Sequence, residues 1–115
     1  MPKINIKPLS VNQAWQGKRF KTNIYKKYEK DCLLLLPKIT VPDGDLKVEL
    51  VFGFSSKLAD ADNPVKCFID ILQKRYGFND NKIYEYSIKK VDVKKGLEFI
   101  EFKITNVSRE TQGIK

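Results

Sequence analysis

Two short acidic segments carry the residues best suited to chemistry. The first is Asp60-Ala61-Asp62-Asn63-Pro64-Val65-Lys66; the second is Asp80, which follows Gly77-Phe78-Asn79. If the chain from Asp60 to Asp62 is extended, its two carboxylates point the same way, because strand side chains repeat every two residues. Such a pair suits a hard divalent cation like magnesium, which takes oxygen ligands and keeps several waters. Asn63 followed by Pro64 reads as a helix N-cap and first helical residue. The carboxylates then stand just before a helix N-terminus, whose partial positive charge favours anions. A chain that leaves by this helix and returns by a strand near Ile83 can bring Asp80 back beside them. Plainer readings stand next to these. An Asp before a helix is often a cap, Asn-Asp-Asn is ordinary turn chemistry, and Lys66 can simply pair with Asp70 at i+4.

The sequence contains no histidine, which excludes His-based nucleophilic triads and most transition-metal sites. Its two cysteines, Cys32 and Cys67, belong to no CxxC or Cys/His cluster, so both are expected to be free, partly buried thiols.

The elements that must position the acids follow from periodicity. Residues 3–8 alternate as a half-buried strand does, and Ser10 to Lys21 has no period and reads as a loop. Thr22 resembles an N-cap, after which Ile24, Tyr28, Cys32 and Leu35 recur at helical spacing until Pro37. Leu46, Val48, Leu50, Phe52 and Phe54 alternate through the clearest strand. Val65, Phe68, Ile69 and Leu72 form a helix stripe, which Gly77 ends. Ile83–Val91 and Leu97–Ile104 read as strands joined through Lys94-Lys95-Gly96 into a hairpin. The expectation is one α+β domain over residues 1–115, a small mixed sheet with two helices in the order β-α-β-α-β-β, and a flexible tail from 105 to 115.

A formal net charge of +8 favours polyanionic partners. Lys18, Arg19, Lys21, Lys26, Lys27 and Lys30 crowd one segment against the single acid Glu29, with Trp15, Phe20 and Tyr25 interleaved. Lysines contact phosphates and aromatics stack on bases, so this segment is the candidate nucleic-acid surface, although Tyr25 and Tyr28 fit a core better. Lys89, Lys90, Lys94 and Lys95 form a second cluster that either binds DNA or protects a sheet edge. No apolar run approaches the ~20 residues of a membrane span. Met1-Pro2-Lys3-Ile4 lacks the apolar stretch of a secretory signal, so an intracellular, cytoplasmic protein is expected.

The D-x-D-N-x-x-K pattern of Asp60, Asp62, Asn63 and Lys66, with the later acidic turn Gly77-Phe78-Asn79-Asp80, resembles the RusA family of Holliday junction resolvases. The segment Ser10-Val11-Asn12-Gln13-Ala14-Trp15 is similar to that family's early Pro/Ser-x-N-x stretch. The similarity runs from about Ile6 to Ile104. It implies a homodimer that cuts branched DNA by paired nicks with magnesium, or manganese in its place. By position, Asp60, Asp62 and Asp80 become metal ligands and Lys66 a catalytic cation. It also implies a bacterial setting, often a phage or prophage. One departure is Asn79, where the family often has a first acid before the second; an amide oxygen there can still orient water. A hydrolase without histidine also suits a metal-activated water as nucleophile. Leu34 and Leu36 are candidates for the dimer surface. The alternatives are a basic DNA- or RNA-binding module without catalysis, an inactive nuclease relative, or a regulatory protein that uses its basic surface for protein contacts.

Overall fold

The computed structural model describes residues 1–16 and 20–107. Strand β1 (Lys3–Ile4) leads to a short helix α1 (Val11–Ala14) and a two-residue antiparallel pair, β2 (Trp15–Gln16) with β3 (Phe20–Lys21). Helix α2 (Asn23–Leu35), strand β4 (Leu46–Phe54), helix α3 (Val65–Tyr76), a 3-10 turn at Asp80–Lys82, and strands β5 (Ile83–Asp92) and β6 (Phe99–Asn106) complete the chain. The long elements follow the expected α+β order. The segment read as a loop instead holds α1, β2 and β3.

The sheet is mixed, in the order β1-β6-β4-β5. Strand β4 pairs in parallel with β5, from Leu46 opposite Ile83 to Phe54 opposite Asp92, and antiparallel with β6. The expected β5–β6 hairpin is therefore absent, and the connection between them passes the end of β4, where Phe54 O accepts the Val93 N–H. Burial explains the exchange. Strand β6 carries Phe99, Ile100, Phe102 and Ile104, all buried, and takes the slot between β1 and β4. Strand β5 is exposed over most of its length and takes the edge, where Lys89 blunts pairing with another chain.

One face of β4 (Leu46, Val48, Leu50, Phe52) packs against the helices in a single core with Tyr25, Tyr28 and Cys32 of α2 and Phe68, Ile69 and Leu72 of α3. Phe68 lies edge-on between Phe52 and Phe102. On α2 the buried stripe is Tyr25, Tyr28 and Cys32, whereas Ile24 and Leu35 are exposed. The expected stripe was thus displaced: residues 24 and 35 project off the face that 25, 28 and 32 share at i, i+3, i+7. Leu36 is also buried, at 4% exposure, and only Leu34, at 76%, remains available as the surface leucine expected of that pair. Both cysteines are free and buried. Burial pushes the Cys32 thiol up to about 12 and the Cys67 thiol up to about 11. No helix among the described residues is long and apolar enough to cross a membrane.

Helix ends fix where the acids lie. Thr22 caps α2 as expected: its Oγ1 accepts the Tyr25 N–H at 3.1 Å and donates to Gln13 O at 2.6 Å. Gly77 ends α3 at φ 74°, a left-handed conformation that side chains resist, and its N–H reaches Gln73 O at 2.8 Å.

Candidate functional site

The 55–64 connection is a run of turns, not an extended segment. Asn63 N–H reaches Asp60 O at 3.3 Å, and Val65 N–H reaches Asp62 O at 3.2 Å. The helix begins one residue later than expected. Pro64, at φ −86° and ψ −3°, occupies the cap position without a side-chain cap. Asn63 is not the cap; its carbonyl instead accepts the Val11 N–H at 3.0 Å and ties α1 to this loop. The two-residue repeat that aligned Asp60 with Asp62 therefore does not operate, because it belongs to extended backbone.

The acids accordingly part company. Asp62 and Asp80 line one open pocket of about 370 Å³ with Val65, Lys66, Ile69, Tyr86 and Ile88. Asp60 lines a neighbouring pocket of about 310 Å³, among Lys7, Ser10, Gln13, Ser55, Ser56 and Glu98. Among the described residues no three acidic, thiol or imidazole groups gather closely enough to hold a metal ion. Of the four residues expected to act together, the structure brings Asp62, Lys66 and Asp80 to one pocket and leaves Asp60 beside it.

Helix α3 supplies the pocket's cation. Lys66 Nζ lies 3.0 Å from Asp70 Oδ1 and 4.0 Å from Asp80 Oδ2, so the simple i+4 pair and the contact with the acidic turn exist together. The hydrogen bond to Asp70 holds the Lys66 pKa above its ordinary value, against a smaller opposing effect of partial burial, so the ammonium stays charged. The Tyr86 hydroxyl is pushed up by burial and then by Asp80. Asp80 opens the 3-10 turn, and Asn79, the departure noted above, caps it: its Oδ1 accepts the Asn81 N–H at 3.0 Å. An aspartate oxygen would cap the same way.

Two residues that sequence reading did not single out for this role hold the acidic loops. Lys90 Nζ donates to Lys57 O at 2.8 Å and Ala59 O at 2.5 Å, fastening β5 to the loop ahead of Asp60. The sequence groups that lysine with a basic cluster on the last two strands, and only the parallel β4–β5 pairing puts it within reach of the loop. Gln73 Oε1 accepts the Asp80 N–H at 2.8 Å.

The basic segment is partly described. Lys18 and Arg19, and the side chains of Trp15 and Phe20, lie outside the described residues. Lys21 pairs with Glu29 at 3.1 Å, and Lys74 of α3 meets the same carboxylate at 3.1 Å. Lys27 pairs with Asp31 at 2.7 Å. Lys26 and Lys30, one turn apart, are exposed on α2, while Tyr25 and Tyr28 are in the core. No family model matches the chain, and no curated protein matches it.

Proposed function

We propose that the protein is a magnesium-dependent endodeoxyribonuclease acting on branched DNA such as four-way junctions, similar in chemistry to the RusA family. The observation that carries this reading is the convergence of Asp62, Lys66 and Asp80 on one open pocket, from two loops and a helix of a strongly basic chain. Carboxylates in a basic chain oppose phosphate binding unless a cation intervenes.

The donor set fits one kind of metal site. Two accessible carboxylates suit a magnesium ion whose remaining ligands are water and substrate phosphate oxygens, the usual arrangement at phosphate-processing sites. A site built from three protein carboxylates does not fit this arrangement, since Asp60 lines the other pocket. When bound, the ion would supply Lewis acidity toward the phosphate and a lowered water pKa. Asp62 and Asp80 would hold it, and manganese could replace it. Lys66 keeps its charge and offers N–H donors to a phosphate oxygen, a preorganised cation where negative charge develops. Lys26 and Lys30, exposed on α2, would meet phosphates along the duplex and so position the DNA without reading its sequence. A two-fold dimer would match paired, symmetric nicks. Action in the cytoplasm of a bacterial cell, with a phage or prophage origin, belongs to the same reading.

The test is cleavage of a labelled synthetic four-way junction in magnesium by the native chain and by Asp62→Asn. Paired symmetric nicks that disappear in the variant support the nuclease. Tight, salt-sensitive junction binding without nicking, unchanged by the variant, makes the protein a DNA-binding module and ends this reading.

A further inference from the structure

We infer that Gln73 is a positioning residue for the acidic turn, holding Asp80 in place against α3 and therefore against Lys66. The inference rests on reading the pocket of Asp62, Lys66 and Asp80 as the reaction site. Lys66, Asp70 and Gln73 share one face of α3 at i, i+4, i+7, and the side chain of each touches the next. Lys66 donates to Asp70 Oδ1 at 3.0 Å, and Gln73 Nε2 approaches that same oxygen at 3.4 Å. Gln73 Oε1 then accepts the Asp80 N–H at 2.8 Å, the shortest contact that any side chain makes to this turn. The amide orientation is fixed by chemistry, because a backbone N–H can only donate and so must face the oxygen. The main-chain carbonyl of Gln73 is occupied as well, by the Gly77 N–H that closes the helix.

One residue thus ends the helix with its backbone and anchors the following turn with its side chain. Without it, the segment from Gly77 to Asp80 keeps the Gly77 N–H, the packing of Phe78 against the core and the Lys66–Asp80 ion pair at 4.0 Å; the first two act ahead of Asp80, and the third is too long to fix a carboxylate. Gln73 is half-buried and lines no part of the pocket, so it acts through Asp80 and not on substrate.

The test uses the full chain, labelled with nitrogen-15, in three forms: native, Gln73→Glu and Gln73→Leu. Glutamate keeps the acceptor for the Asp80 N–H but loses the Nε2 donor and sets a carboxylate against Asp70; leucine removes the acceptor. Asp80 amide exchange should quicken at least about tenfold in the leucine variant and stay near native in the glutamate variant, with melting temperatures little changed. On a four-way junction, kcat should fall about 10- to 100-fold in Gln73→Leu while KM moves little, with partial recovery in Gln73→Glu, whose added charge faces Asp70. Asp80 exchange unaffected by leucine would overturn the inference. So would native kcat in a leucine variant whose Asp80 amide has been released. A native chain that nicks no branched DNA would instead sink the nuclease reading, a result separable from the amide measurement.

Discussion

Asp60 and Asp62 are two residues apart, yet they stand in different surroundings. Asp62 shares its pocket with a charged lysine, a second carboxylate and the ring of Tyr86. Asp60 has Lys7 and Glu98 around its own pocket, but the Glu98 carboxylate is held by the Ser55 hydroxyl and the Gly96 N–H, and the loop ahead of Asp60 is fastened by Lys90. The difference is a matter of backbone: spacing by two joins side chains on one face of a strand, and turns separate them. Asp80, eighteen positions further along, is the better partner for Asp62, because α3 leads away from one acid and β5 begins just after the other.

The sharpest way to break this contrast is to neutralise each acid in turn. Asp62→Asn and Asp80→Asn should each lower junction nicking on the order of 10²- to 10³-fold, the scale of losing a group that stabilises transition-state charge. Asp60→Asn should cost less, about 10- to 100-fold, as for a residue that supports ligands from outside the pocket. Equal losses for all three, measured by single-turnover cleavage, would show the 55–64 loop joining the pocket once DNA and metal bind. A smaller effect probes the loop's fastening. Lys90→Met removes two charge-assisted hydrogen bonds and should destabilise the fold by about 1–3 kcal/mol in urea unfolding, without changing the salt dependence of DNA binding. A salt slope reduced by about one would instead assign Lys90 to a phosphate. Smallest is the effect of metal alone. At tenfold excess over Kd, magnesium should stabilise the native chain by about 1.4 kcal/mol, raising the melting temperature by a few degrees. Asp62→Asn and Asp80→Asn should lose that rise and Asp60→Asn should keep it.

Much of the scaffold was legible because local chemistry specifies it. The alternation of β4, the Thr22 cap and the Gly77 stop each depend on a few neighbouring residues. What could not be read depends on competition between distant segments. The short link from β5 to β6 has the appearance of a hairpin turn, but the more apolar β6 takes the interior place between β1 and β4, and β5 pairs with the other side of β4 at the edge. The split between Asp60 and Asp62 arises from the carbonyls of residues 60 and 62 capturing N–H groups three residues on, which their side-chain types do not announce. The return of Asp80 beside Asp62 was accessible from the order helix-then-strand. Lys90 and Gln73 were not, since their partners are backbone groups that become neighbours only when β5 and the acidic turn are in place.

The most direct measurement is manganese titration of the nitrogen-15-labelled chain, reading paramagnetic broadening of each amide. Broadening that begins at Asp62, Lys66, Asp80 and Tyr86, and reaches Asp60 only later, would place the ion in the pocket these residues share. Broadening centred on the Asp60 pocket, or none at millimolar manganese, would contradict it.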